Sequence, residues 1–189
     1  MHTKLAFVAL ATLSTLVPAV VGKGEAKIVN RCSEPIFIWS IADEAGEKMV
    51  ELQPSDSYKE EYRENPNGGG VSIKISADKN QKEVSQFEYT VADKESKVYY
   101  DLSNIDGYPF VHGGINLIPS DDSCPKIECP AGVKKCEQAY NVWNDDHATK
   151  GCPIESDLEM VICASGDKPN AKKGKLHVRP RHPHARPEA

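Results

Sequence analysis

The sequence predicts an all-β fold: a compact β-sandwich with one short helix, held together by disulfides. Short runs rich in β-branched and aromatic residues, such as 26–32 and 35–42, alternate with turn-forming breakers. The run 71–77 alternates apolar and polar side chains, which is typical of a strand with one buried face. At least seven such runs in one domain favour a sandwich.

The remaining elements follow from the same signals. Further strands are predicted at residues 49–54, 84–92, 97–105, 115–118 and 158–163. The segment ENPNGGG at 64–70 is a strong breaker between two of them, whereas 57–63 has an ambiguous period. The short helix is expected at about residues 133–142.

The two ends of the chain differ from its body. Residues 1–22 have the pattern of a secretory signal peptide: Lys4 precedes an apolar run, and small residues follow at Ala19 and Gly22. No second apolar run of ~20 residues follows, so no membrane span is expected. Residues 23–165 suit one domain, and the basic, His- and Pro-rich residues 166–189 are expected to be a disordered tail.

Charge restricts the class of partner. Residues 23–166 carry 15 basic and 26 acidic side chains, which gives a net charge of −11. An acidic surface repels polyanions, so nucleic acid is not an expected partner, and neutral ligands, cations or basic surfaces are favoured. The chain also has neither a G-x-S-x-G segment nor a phosphate-binding glycine loop that precedes a helix.

All six cysteines follow the predicted signal peptide. An even number in an exported chain indicates three disulfides, although the sequence leaves the pairing open. Zinc knuckles are disfavoured because no Cys-x-x-Cys pair occurs.

Three segments, in this order along the chain, resemble the thaumatin-like proteins: IVNRCS at 28–33, YYDLSNIDGYPF at 99–110, and AYNVWNDDHATKGCP with LEMVIC at 139–163. The chain lacks the long insertion that larger members carry between the cysteines matching Cys129 and Cys136. It is therefore similar to the small fungal antigenic thaumatin-like, or yeast-phase-specific, secreted proteins. The resemblance implies the pairs Cys32–Cys163, Cys124–Cys152 and Cys129–Cys136.

The resemblance also implies an acidic groove. Asp101, Asp106 and Asp145 match three of its acids, whereas Gln86 stands where the family has a glutamate. Glycoside hydrolysis usually needs two carboxyl groups, so the glutamine disfavours β-glucanase activity, which stays as an alternative. We expect a secreted or cell-wall-associated, monomeric, non-enzymatic protein. Its expected partner is cell-wall glucan or a host or other extracellular protein.

Aromatic side chains near such a groove are candidates for contact with a sugar ring. The sequence offers Tyr99, Tyr100, Tyr108 and Phe110. The other interpretation places these rings in the core of alternating strands.

A metal site is the second hypothesis, although no cofactor is required by the fold. His147, with Asp146 and Asp145 beside it, forms a copper or zinc site if His112 converges on it. The other interpretation of DDHAT is a tight turn whose aspartates bond backbone amides. His177, His182 and His184 in the tail offer a weaker site for the same ions.

Overall fold

The computed structural model describes residues 22–43 and 48–166. These residues form two β-sheets that share one core, which confirms the all-β class. The helical segments among them are two 3-10 turns, Asp93–Glu95 and Asp146–Ala148. The predicted signal peptide apart from Gly22, and the predicted tail apart from Gly166, lie outside the described residues.

The first sheet has five strands. Its members are β1 (Glu25–Asn30), β4 (Ser57–Glu61), β8 (Ile115–Pro119), β9 (Ile127–Cys129) and β11 (Leu158–Ile162), in the order β4-β1-β11-β8-β9. The first and last strands pair in parallel, with Ile28 opposite Met160, and the other pairs in this sheet are antiparallel.

The second sheet has six strands, all paired antiparallel. They are β2 (Ile36–Ile41), β3 (Val50–Leu52), β5 (Val71–Ser76), β6 (Ser85–Ala92), β7 (Lys97–Ser103) and β10 (Lys150–Pro153), in the order β10-β7-β6-β5-β2-β3. Strands β9 and β10, of three and four residues, were not predicted because they are too short to show a clear pattern.

The alternation of side chains decides which face of the six-stranded sheet enters the core. Val71, Ile73 and Ile75 of β5 are buried, as the sequence predicts, and Phe87 and Tyr89 of β6 lie on the same side. The intervening residues therefore point to the outer face of the sheet. That outer face carries the polar groups discussed below.

Three disulfides join the cysteines in the pairs that the resemblance implies. Cys32 and Cys163 lie just beyond β1 and β11, with Cα atoms 5.1 Å apart. Gly113 passes so close to this bridge that an added Cβ would lie 2.7 Å from Cys163. Only glycine fits there without a shift of the backbone.

The helix expected at residues 133–142 is absent, and the segment forms turns. The Cys129–Cys136 bridge closes a short loop that includes the first four residues of this segment, 133–136. The Asn141 side chain then donates to the carbonyls of Cys136 and Ala139, at 2.7 and 2.8 Å. These bonds satisfy carbonyls that a helix would use for its own ladder, which explains why the prediction was wrong.

Asn30, at the end of β1, is fully buried and connects three segments. Its Nδ2 donates to the carbonyls of Glu34 and Leu52, both at 3.0 Å, and its Oδ1 accepts from the backbone N–H of Cys32 at 2.9 Å. A polar side chain in the core is stable here because each of these bonds is made.

Replacing Asn30 is therefore expected to lower the free energy of unfolding. Asn30→Ala leaves buried carbonyls and an amide without partners, and we expect a loss of about 2–4 kcal/mol in the free energy of unfolding. Urea denaturation of the oxidised protein measures it. Asn80→Ala, at an exposed loop position, is the control and should change the value by less than about 0.5 kcal/mol. Equal effects of the two changes would contradict the assigned role.

Candidate functional site

A cleft of about 510 Å³ lies on the outer face of the six-stranded sheet. Its floor is formed by Ser72 of β5, Glu88 of β6 and Asp101 of β7, which alternate with the core residues of these strands. Its walls come from the end of β2 at Ile41 and from four loops, at residues 42–43, 65–70, 105 and 140–143. The cleft is thus a rigid sheet surface bordered by loops.

Two acidic side chains face each other on the floor. Glu88 and Asp101 are directly opposite in the antiparallel register of β6 and β7, so their side chains project from the same face. Burial, and then the charge of Glu88 and a hydrogen bond with its carboxyl group, raise the pKa of Asp101 to about 8. Burial also raises the pKa of Glu88. The pair therefore retains a proton at neutral pH.

One oxygen of the floor is left without a partner. Asp101 Oδ1 is buried and has no hydrogen-bond partner within the described part of the chain. A buried acceptor without a partner is destabilising, and this adds to the cost of placing an acid at this position.

Gln86 and Asp106 lie beside the cleft in one network. Gln86 Oε1 accepts from Lys74 Nζ at 2.7 Å and from Ser72 Oγ at 3.0 Å, and its Nε2 donates to Asp106 Oδ2 at 3.3 Å. Lys74 also forms an ion pair with Asp106 at 3.8 Å. This network joins the floor of the cleft to the loop after β7 and pairs Asp106 with Lys74.

Asp145 does not line the cleft with Asp101. Its Oδ2 accepts from the backbone N–H groups of Asn141 and Val142, at 2.9 and 3.1 Å, and the first of these bonds is the main cause of its lowered pKa. Asp145 therefore stabilises the turn that carries Trp143, as the turn interpretation of DDHAT predicts.

The residues of the metal hypothesis are not assembled. No group of three His, Cys, Asp or Glu residues that could hold a metal occurs among the residues the structure describes. His147 Nε2 lies 3.1 Å from the carbonyl oxygen of Glu137, and Asp146 Oδ1 accepts from the Tyr140 hydroxyl at 3.4 Å. His112 is exposed in the loop after β7 and joins no such group. The 3-10 turn thus directs His147 and Asp146 to separate protein partners.

The aromatic side chain that borders the cleft is not among those predicted from the sequence. Trp143 lines it and is 83% exposed. Of the rings named from the sequence, Tyr100 and Phe110 are buried in the core, and Tyr99 donates to Glu95 at 2.6 Å. The sequence signal that could have identified Trp143 is its place directly before two turn-forming residues, Asn144 and Asp145.

Glu88 was also missed, although its alternation with Phe87 and Tyr89 places it on the outer face. That it stands opposite Asp101 depends on the pairing of two strands, which a single sequence does not state. No helix in the described ranges is long and apolar enough to cross a membrane.

Comparisons with known proteins agree with this architecture. The chain is 51% identical over 197 residues to the antigenic thaumatin-like protein of Arthroderma benhamiae, with 100% of both chains covered. It is 36% identical over 143 residues to a secreted thaumatin-like protein of Emericella nidulans, covering 74% of this chain and 81% of that protein. Neither relative is named for a catalytic activity.

A solved structure shows the same fold. The protein elicitor MoHrip2 of Magnaporthe oryzae superposes with a TM-score of 0.63 at 23% identity, over 75% of this chain and 99% of that chain. The model of the family described as Blastomyces yeast-phase-specific protein matches residues 13–164. The chain therefore belongs to the Blastomyces yeast-phase-specific protein family of fungal thaumatin-like proteins.

Proposed function

We propose that this protein is a secreted, non-catalytic binding protein whose cleft recognises a neutral, hydroxyl-rich carbohydrate such as cell-wall β-glucan. The observation that carries the proposal is the meeting of the Glu88–Asp101 pair with the exposed ring of Trp143 in one cleft. The names of the relatives, secreted and antigenic, support an extracellular setting.

The chemistry of the cleft suits sugar hydroxyl groups. The Glu88–Asp101 pair accepts hydrogen bonds, and so does the Ser72 oxygen, whose own proton is donated to Gln86, so the floor suits the hydroxyl hydrogens of a sugar. The indole face of Trp143 covers the apolar face of a pyranose ring. The negative charge of the body disfavours a polyanion in the same position.

Binding is favoured over hydrolysis by the closeness of the two acids. Glycosidases place their carboxyl groups about 5–9.5 Å apart, because the scissile bond, and in inverting enzymes a water molecule, must fit between them. Glu88 and Asp101 stand directly opposite each other on neighbouring strands and project from the same face, so they are not placed on opposite sides of a bound glycosidic bond. An assay of reducing-sugar release tests this argument, and product formation by the unaltered protein would contradict it.

The cleft is tested by removing the indole ring. Trp143→Ala is expected to weaken binding to a soluble β-glucan oligosaccharide about tenfold, because the stacking surface is lost. Isothermal titration calorimetry measures the affinity. Val133→Ala, which also shortens an exposed apolar side chain but outside the cleft, is the control and should bind like the parent. Absence of binding by the unaltered protein, or equal affinity of both variants, would contradict the proposal.

The acid pair predicts an unusual pH dependence of stability. An aspartate has an ordinary pKa of about 3.9, and the folded state raises that of Asp101 to about 8. The folded state therefore binds the proton more tightly than the unfolded state. The free energy of unfolding should fall as pH rises from about 4 to about 8, and the contribution should then level off.

Asp101→Asn, which mimics the protonated acid, should remove this fall and stabilise the protein at pH 8 by at least about 1 kcal/mol. Urea denaturation at several pH values measures the slope of the free energy of unfolding against pH. Glu88→Gln should reduce this slope only in part, because burial is the largest cause of the raised pKa of Asp101 and it remains in this variant. A slope in Asp101→Asn equal to that of the parent would show that Asp101 does not carry the effect.

A further inference from the structure

The cleft bordered by Trp143 has the apolar surface of a peptide-binding groove. Ile105 and Trp143 both line it, and they are 46% and 83% exposed. The half-buried ring of Tyr140 lines it as well. The backbone N–H of Asn104 donates to the carbonyl of Tyr140 at 2.8 Å, which fixes the two loops that carry these side chains to each other. Large apolar side chains exposed around a concave surface mark a contact site.

The cleft is also acidic. Asp43, Glu88 and Asp101 line it, and none of its described lining residues is basic. Even with one proton retained by the Glu88–Asp101 pair, the net charge of the cleft is negative. A ligand that is both apolar and basic therefore suits the cleft better than an anion does.

The chain itself contains a segment of this chemistry. Residues 167–189 follow the described domain and carry seven basic and two acidic side chains, whereas residues 23–166 have a net charge of −11. Within this segment, residues 176–183 have the sequence LHVRPRHP, which combines apolar side chains with two arginines and two prolines. The two parts of the chain are therefore complementary in charge.

The spacing of the two prolines indicates a mode of binding. Pro180 and Pro183 are three residues apart, and a polyproline II helix has three residues per turn, so this helix would place both rings on one face. Segments with this PxxP spacing bind in grooves lined by aromatic side chains. Arg179 and Arg181 flank Pro180 and supply positive charge toward an acidic groove.

The described structure holds the start of this segment near the cleft. The backbone N–H of Ser165 donates to the carbonyl of Gly113 at 3.0 Å. Gly113 lies in the same loop as Ile105, eight residues away, which is a path of at most about 29 Å. The chain from residue 165 to residue 176 can span up to about 38 Å. Residues 176–183 can therefore reach the cleft along this loop.

Attachment to the domain strengthens even a weak contact. A segment joined to its site by a short linker acts at an effective concentration on the order of 1 mM. If the free peptide bound with a Kd of about 0.1 mM, the attached segment would weaken the binding of a competitor about tenfold. A contact of modest affinity is therefore enough to keep the cleft occupied most of the time.

We propose that the cleft is a groove for a basic polyproline II peptide and that its occupant is residues 176–183 of the same chain. The rings of Trp143 and Tyr140 would pack against the two prolines, and the arginines would lie beside the acids of the cleft. The docking itself does not depend on carbohydrate binding. That the docked segment keeps a sugar out of the cleft rests on the function proposed above.

The experiment uses the full secreted chain, without sugar, and takes Trp143 as the probe. The chain has two tryptophans, and the other, Trp39, is only 9% exposed, so quenching of tryptophan fluorescence by acrylamide reports chiefly on Trp143. The test variant combines Arg179→Gln, Pro180→Ala, Arg181→Gln and Pro183→Ala. If the segment occupies the cleft half of the time or more, quenching should be at least about twofold stronger in this variant than in the parent.

A matched control separates docking of residues 176–183 from a general effect of charge. Lys168→Gln with Lys172→Gln removes the same number of charges from the same terminal segment, but outside residues 176–183. We expect quenching in this control to equal that in the parent.

NMR locates the contact. The indole N–H signal of Trp143 and the backbone amide signals of Thr90 and Ile105 should differ between the parent and the test variant, because these residues line the cleft. The signal of Asn80, in an exposed loop that does not line the cleft, should be the same in both.

A sugar titration then distinguishes this inference from the proposed function. The test variant should bind a soluble β-glucan oligosaccharide up to about tenfold more tightly than the parent. A protected Trp143 with no sugar binding by either chain would support docking and contradict the carbohydrate function. Equal sugar binding by both chains, with Trp143 equally quenched, would support the carbohydrate function and overturn docking.

Three further results would overturn the inference. They are equal quenching in the parent and the test variant, an equal rise of quenching in the lysine control, and NMR differences that lie away from the cleft. Protection of Trp143 that disappears on dilution would do so too, because the occupant would then be the segment of a second copy.

Discussion

The parallel pairing of β1 with β11 is the constraint on which the rest of the structure depends. It places the first and last strands in the middle of the five-stranded sheet, and the Cys32–Cys163 disulfide closes the chain across a separation of 131 residues. A loop of this length is costly to close, and in the chain-entropy model the bridge offsets about 5 kcal/mol of that cost. Asn30, at the end of β1, fixes the chain on either side of Cys32 and beside β3 with hydrogen bonds to Cys32, Glu34 and Leu52.

A frame closed in this way tolerates unfavourable polar groups elsewhere. Like charges directly opposite each other in a sheet are destabilising, yet Glu88 and Asp101 occupy such positions on two central strands. Asn104 and Tyr108 similarly keep buried atoms without partners in the described structure. Together with Ser103 Oγ, these buried atoms lie in β7 or in the loop that follows it, so the unfavourable polar groups gather in one part of the chain.

Much of the fold could be predicted from the sequence because alternation and breakers are local signals. The strand predicted at 84–92 is found at Ser85–Ala92, and that predicted at 97–105 at Lys97–Ser103. Strands β9 and β10 could not be found, because each is short and is defined by its partner. The helix expected at 133–142 failed because the disulfide and the Asn141 side chain override helix propensity there.

The candidate site depends on how two strands pair, which local sequence signals do not specify. Gln86 suggested that an acid was lost, but Glu88 lies two residues further along the same face and stands opposite Asp101. The register of two strands decides this, and register is a property of the sheet and not of either segment. A carboxyl group thus stands beside Asp101 although residue 86 is a glutamine. Burial and the neighbouring Glu88 raise the pKa of Asp101, so the two acids form one coupled pair on the floor of the cleft. In the function proposed above, this pair accepts hydrogen bonds from sugar hydroxyl groups.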